Sequence, residues 1–210
     1  MKTTRRFFMK GGLIGGTLVA LSPAAQTRSP TPNEIEGPFY PVYPQKDKDF
    51  DLTQIDGHSE KALGNVVNIQ GKVLDTNGVV IENATVDIWQ ANSMGRYRHP
   101  HDQNKAALDP NFQGWAIVQS GKGGRFNFKT IIPGAYPVSE TWLRPPHIHF
   151  KVSKVGYETV ITQMYFPDHE LNKVDQLLQR KTKKDQEMMI ASVVDNEANT
   201  LAYNIVLEKV

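Results

Sequence analysis

The sequence predicts an all-β protein: a β-sandwich core with long loops and one or two short helices near the C-terminal third. Apolar and polar residues alternate in short runs, the signature of half-buried strands, and turn signals separate the runs. A chain of 210 residues that is 39% apolar can bury the core of one ordinary domain. Helical character is confined to residues 172–194, where an apolar side built on Leu177, Met188, Met189 and Ile190 is broken by the charged run 180–185.

Residues 1–25 stand apart from that fold. Lys2, Arg5, Arg6 and Lys10 precede an apolar run over 11–21, and Ser22-Pro-Ala-Ala25 follows it, the three parts of an export signal. The apolar run is too short for a stable membrane anchor. Arg5-Arg6 followed by Phe7, Phe8 and Lys10 resembles the bacterial twin-arginine signal, which carries folded proteins outward and implies a periplasmic or secreted product. Loss of these residues takes away four basic side chains and no acid, so the formal charge moves from +2 to −2. Neither value, in a chain with no basic run interleaved with aromatics, makes a case for nucleic acid as a partner. The chain has no cysteine. Disulfides, thiolate zinc sites and cysteine nucleophiles are thereby excluded, and a metal would need histidine, carboxylate, tyrosine or water.

Residues 26–65 read as an extended arm, rich in proline and polar residues near its start. The catalytic domain is expected over 66–210. Its first strand begins at Val66, where Val67, Ile69, Gly71 and Val73 alternate with Asn68, Gln70, Lys72 and Leu74, and Asn77-Gly78 marks a turn. A second strand spans 84–89, with Val86 and Ile88 on one face. A third covers 115–119, and the glycine-rich 121–124 turns it into 125–129, where Phe126 and Phe128 share a face. Residues 147–152 and 159–166 make two more, and 200–208 the last.

The most informative residues lie on the strand at 147. In Arg144-Pro-Pro-His-Ile-His-Phe150, His147 and His149 are two apart, so both imidazoles project from the same face. Imidazole is the commonest neutral metal ligand. Two tyrosines keep company with them: Tyr97 just after the second strand, and Tyr136 in Ile132-Pro-Gly-Ala-Tyr-Pro137, read as a turn between strands. Taken singly, each tyrosine reads as a packing residue whose hydroxyl finds a backbone partner.

Taken in order, Glu36-Gly-Pro-Phe-Tyr40, Asp87-Ile-Trp-Gln-Ala-Asn92, Gly95-Arg-Tyr-Arg-His99, Leu108-Asp-Pro-Asn-Phe112, Ile132 to Pro137, Arg144 to Phe150 and Ile161-Thr-Gln-Met-Tyr-Phe166 resemble the intradiol ring-cleavage dioxygenases, especially their protocatechuate 3,4-dioxygenase branch. The resemblance implies one non-haem Fe(III) per site, held by Tyr97, Tyr136, His147 and His149. It implies a catechol-type substrate and O2, with cleavage between the two hydroxyls to a cis,cis-muconate-type diacid. It makes Tyr136 both ligand and proton acceptor, and sets Arg144 against the substrate ring. Gln163 matches a position near the site, and Tyr40 a segment that reaches the pocket entrance. The protocatechuate enzymes pair two different chains, so a homo- or a hetero-oligomer fits the resemblance equally.

Two rival readings use the same residues. A cupin-like metalloenzyme also carries His-x-His on a sheet but wants a glutamate about four residues later; here Phe150 to Lys154 follow, and the first acid is Glu158. A secreted transthyretin-like β-sandwich module would bind without chemistry, since fold does not fix function. The substrate also stays open among protocatechuate, catechol, hydroxyquinol and larger catechols.

Overall fold

The computed structural model describes residues 27–210; the expected export signal lies outside them. In chain order the strands are β1 (Val66–Asp75), β2 (Thr85–Trp89), β3 (Trp115–Gln119), β4 (Arg125–Ile131), β5 (Tyr136–Ser139), β6 (Trp142–Arg144), β7 (His147–Ser153) and β8 (Val160–Tyr165). They are followed by the helix α1 (Lys183–Met189), then β9 (Ser192–Val193), β10 (Thr200–Ala202) and β11 (Ile205–Leu207). One sheet runs β11-β1-β10-β9, with β4 also paired to β1; the other runs β3-β2-β7-β8. The small hairpin β5-β6 stands outside both.

The two sheets pack through the residues that alternation places inside. Val67, Ile69, Val73, Phe126 and Phe128 of the first sheet meet Val86, Ile88, Ile148, Phe150 and Val152 of the second in one buried cluster. Phe150 is central, with the rings of Tyr203 at 5.2 Å, Phe128 at 5.9 Å and Phe126 at 6.3 Å. The expected all-β sandwich is therefore present. The segment expected to carry one or two short helices holds one, α1, preceded by two 3-10 turns. The Thr182 side chain accepts from the Asp185 N–H and fixes the start of that helix. Among the described residues, no helix is long and apolar enough to cross a membrane.

The strand expected over 200–208 is split in two. Between its halves, the Tyr203 N–H donates to the Gln70 carbonyl, and the Asn204 side-chain oxygen accepts from the Lys72 N–H at 2.9 Å. A side chain thus replaces one rung of the ladder, and parallel pairing with β1 resumes at Ile205. Here the Tyr203 carbonyl passes so close to Gly71 that a Cβ on Gly71 would sit 1.9 Å from its oxygen. Gly71→Ala must therefore push the strands apart, and urea unfolding should register a loss of about 1–3 kcal/mol. Gly121→Ala has ordinary φ and a nearest neighbour at 3.8 Å, and should change stability by less than about 0.5 kcal/mol.

Candidate active site

The site lies on the outer face of the second sheet. While Ile148, Phe150 and Val152 face the sandwich core, His147 and His149 project to the other side, their rings 4.9 Å apart. Sheet register surrounds them: Trp89 and Gln163 flank His149 on neighbouring strands, and Tyr165 flanks His147. The Trp89 indole stacks on the His149 ring at 4.8 Å and 11°.

Tyr97 arrives on the loop after β2, and Asn92 ties that loop down. The buried Asn92 side chain accepts from the Met94 and Arg96 N–H groups and donates to the Ala107 carbonyl, while its own carbonyl accepts from Gly95 and Gly134. The Tyr97 N–H is held by Asp102 at 2.7 Å. Gly134 brings in the neighbour of the second tyrosine, and the backbones touch there: a Cβ on Gly134 would lie 2.4 Å from the Gly95 nitrogen. Tyr136 differs from expectation. It opens strand β5 rather than sitting in a turn, and pairs directly with Arg144 across the hairpin. Pro137 and the shortness of both strands hide that hairpin from periodicity arguments.

Tyr97, Tyr136, His147 and His149 converge. The Tyr97 hydroxyl lies 3.1 Å from His149 Nε2, and the Tyr136 hydroxyl 3.4 Å from His147 Nε2. His147 Nδ1 donates to the Pro145 carbonyl at 2.7 Å, which leaves Nε2 as a bare lone pair toward the phenol. His149 Nδ1 is buried without a partner among the described residues. Burial raises the Tyr97 hydroxyl well above its ordinary range, and the neighbouring Tyr136 adds to this. Burial also raises Tyr136, against the pull of the Arg144 cation. Burial lowers His147 well below the usual imidazole range, with Arg144 and His149 contributing. Burial and then Arg144 push His149 down to about 3. Alone, the four groups are neutral.

Arg144 is the charged centre of the site. Its Nε donates to Asp175 at 2.9 Å, and one Nη donates to Gln163 at 2.6 Å and to the Tyr165 hydroxyl at 2.9 Å. Asp175 also takes the Trp142 indole N–H and the Leu178 N–H. Arg144, Tyr136, His149 and Gln163 line a cleft of about 570 Å³, within the usual range for small-molecule sites. Gln163 spends its amide inside the protein, accepting from Arg144 and Tyr165 and donating to the Ile35 carbonyl. Tyr40, expected at the pocket entrance, does not line this cleft: its hydroxyl donates to Asp87 at 2.7 Å, and its ring packs edge-on against Trp89 at 5.0 Å. Sequence reasoning missed Tyr165 and Asp175. Tyr165 shares a β8 face with Gln163, a signal that strand parity offered; Asp175 lies in irregular chain and carries none.

The donors suit a hard cation. Two ligands about 2.1 Å from one ion and at right angles lie about 3 Å apart, close to the phenol–imidazole spacings here. Among the described residues, no three His, Cys, Asp or Glu side chains gather into a metal site. The phenols are therefore the donors available to complete a site around the histidine pair, and phenolate oxygen, hard and anionic, favours Fe(III). This also removes the acid that a cupin-like site requires.

Residues 35–209 match the family model described as Dioxygenase. The protocatechuate 3,4-dioxygenase beta chain of Burkholderia cepacia is 37% identical over 169 residues, covering 77% of this chain and 72% of that one. The hydroxyquinol 1,2-dioxygenase of Rhizobium sp. (strain MTP-10005) is 31% identical over 127 residues, 54% of this chain and 40% of that one. Among solved structures, the 3-chlorocatechol 1,2-dioxygenase of Rhodococcus opacus 1CP superposes with a TM-score of 0.68 at 23% identity, over 89% of this chain and 75% of that one. The dioxygenase domain of a carbohydrate-binding fusion from Streptomyces sp. SirexAA-E gives 0.65 at 24%, over 87% and 100%. At these identities the two structures bear on the fold alone.

The Arg144–Asp175 pair is buried, with side chains 4% and 0% exposed. Asp175→Asn leaves the guanidinium charge without its counterion in a dry site, at a cost of about 3–5 kcal/mol. Urea unfolding should show that loss, whereas Lys173→Ala, which breaks the exposed Glu170–Lys173 pair, should leave the midpoint where it is.

Proposed function

Because this chain belongs to the intradiol ring-cleavage dioxygenase family, we propose that it opens a catechol-type ring between its two hydroxyls with O2 at a non-haem Fe(III), giving a cis,cis-muconate-type diacid. The convergence of two phenols and two imidazoles beside an open cleft carries this reading. A binding module has no use for that arrangement. Both oxygen atoms enter the product, so the reaction needs no outside reductant.

In this reading Tyr97, Tyr136, His147 and His149 hold one Fe(III). When bound, Fe(III) would supply a hard Lewis acid that a catechol's two adjacent oxygens could chelate and that could accept electron density from the ring. The protein's own groups supply the rest. Of the two phenols, Tyr136 lines the cleft and Tyr97 does not, so the Tyr136 oxygen is the one that incoming diol reaches and to which it yields a proton. Arg144, in the same lining, presents fixed positive charge to the negative charge that develops on the ring. Asp175, Tyr165 and Gln163 hold the guanidinium in place, which makes Gln163 a positioning residue rather than a substrate contact. Tyr40 acts further back, propping Trp89 behind His149. Residues 1–25 complete the proposal as an export signal that delivers folded enzyme to the periplasm or beyond, to be checked by cell fractionation.

The iron-loaded protein should be reddish-brown from tyrosinate-to-iron charge transfer; a colourless protein with full iron content refutes tyrosinate ligation. His147→Ala and His149→Ala should each lose most bound iron by elemental analysis, and full retention in both overturns the ligand set. Tyr136→Phe keeps three ligands and most of the iron. Its oxygen uptake with catechol should fall by about 10²-fold or more, the usual loss when a positioned proton acceptor is removed. An unchanged rate takes Tyr136 out of the proton transfer.

A further inference from the structure

The walls of the cleft show what the ring can carry. A catechol that presents its diol to Tyr136 and His149 must direct any ring substituent away from those donors and toward the mouth. Most of the wall there is apolar: Ile35 and Pro38 of the arm, Val138 and Trp142 of the β5-β6 hairpin, Leu177 and Phe39, with Gln103, Asn104 and Ser139 as its uncharged polar members. Ile35 and Val138 remain 55% and 50% exposed, although both sit on a functional cleft, where exposed aliphatic surface normally marks something to be covered.

Charge in the same lining points the same way. Arg144 is the single lysine or arginine among the described lining residues. It lies at the donor end, paired with Tyr136 across the β5-β6 hairpin, and its Nε is already engaged by Asp175 at 2.9 Å. Toward the mouth, the exposed imidazole of His101 is followed at once by the Asp102 carboxylate. Lys151 and Lys181 are paired with Glu36 and Glu34 of the arm and do not line the cleft. An anionic substituent entering here would lose water and meet aliphatic side chains and an acid, with neutral amide and hydroxyl groups and the His101 imidazole, but no lysine or second arginine among the described lining residues, to replace its hydration.

From this we infer that the enzyme selects catechols whose substituent is uncharged and apolar, such as alkyl or aryl groups, over catechols that bear a carboxylate. The inference rests on the ring-cleavage reading and narrows its substrate class. It separates this chain from what the name of its Burkholderia relative would suggest.

The test uses two probes of nearly equal size, 4-methylcatechol and 3,4-dihydroxybenzoate, bound to the iron-loaded full chain. Equilibrium binding is followed by the change in the visible charge-transfer band, and ring-opened product is measured separately by ultraviolet absorbance. The methyl compound should bind about tenfold or more tightly, the scale of one uncompensated charge at a partly solvated wall. Equal or tighter binding of the carboxylate overturns the inference. Intrinsic differences in how the two diols chelate iron cancel when variants are compared. Val138→Arg should narrow or reverse the preference by at least about fivefold, while Val155→Arg, on a residue 96% exposed and outside the lining, should leave it unchanged. Ile35→Lys repeats the test from the opposite wall. If neither mouth variant moves the ratio more than Val155→Arg does, the wall does not discriminate and the inference falls. Selective binding without ring-opened product leaves the inference standing and overturns the ring-cleavage reading. Failure of both probes to bind overturns both.

Discussion

Strand β7 cannot slip by one residue without exchanging its faces, and the whole molecule is arranged around that constraint. Its inward residues, Ile148, Phe150 and Val152, are fully buried in the sandwich; its outward residues, His147 and His149, are equally buried, under the arm, the Tyr97 loop and the β5-β6 hairpin. A slipped register would drive two imidazoles into an apolar core and present aliphatic and phenyl groups to the donor site. Either half of that exchange costs several kcal/mol through unmet hydrogen bonds and lost packing. Core stability and donor placement are thus enforced by the same strand, and the ring stack at Phe150 holds the register that aims the histidines.

Burial does a second job. It keeps both phenols protonated and both imidazoles uncharged while nothing positive is present, so the donor cluster carries no mutual repulsion and survives as two hydrogen-bonded phenol–imidazole pairs. The permanent cation facing it, Arg144, is matched inside the protein by Asp175 and steadied by Tyr165 and Gln163. Had the guanidinium been unpaired, its desolvation would have fallen on the fold. Its field remains directed at the phenols, where it would favour an anionic ring.

What the sequence disclosed follows from which residues obey short-range rules. Alternation in β1, β2, β4 and β7 is local, and so is the parity that joins His147 to His149; both were legible. The two tyrosines were legible only through ordered motifs, because loop residues have no periodicity and their meeting depends on Asn92, whose carbonyl gathers Gly95 and Gly134 from segments about forty residues apart. The hairpin that sets Tyr136 opposite Arg144 was hidden by Pro137 and by strands too short to alternate. The split of the last strand turns on one side chain, Asn204, standing in for a main-chain acceptor, which no pattern announces. Asp175 was invisible for a similar reason: an acid in irregular chain reads as surface until its arginine is seen.

The arm touches both the mouth of the cleft and the residues that hold Arg144. The Ile35 carbonyl accepts from Gln163, the residue that holds Arg144, while the Ile35 side chain lines the mouth of the cleft. Four residues on, the Phe39 ring packs 4.8 Å from Tyr97 and 6.3 Å from Tyr136 and lines the same cleft. Under the proposed function, a change in the arm that reshapes the wall for a different substituent would therefore also act on the groups proposed to hold the cation and on Arg144. The hairpin is under the same double demand, since Val138 lines the mouth two residues after Tyr136. The sheet contributes donors whose positions register has already fixed, so under the proposed function substrate choice would fall to two short segments, the arm tied to Arg144 through Ile35 and Gln163 and the hairpin through the Tyr136–Arg144 pair. Substitutions that retune substrate choice should then be tolerated at side chains such as Ile35 and Val138, and resisted wherever the backbone of those segments must move.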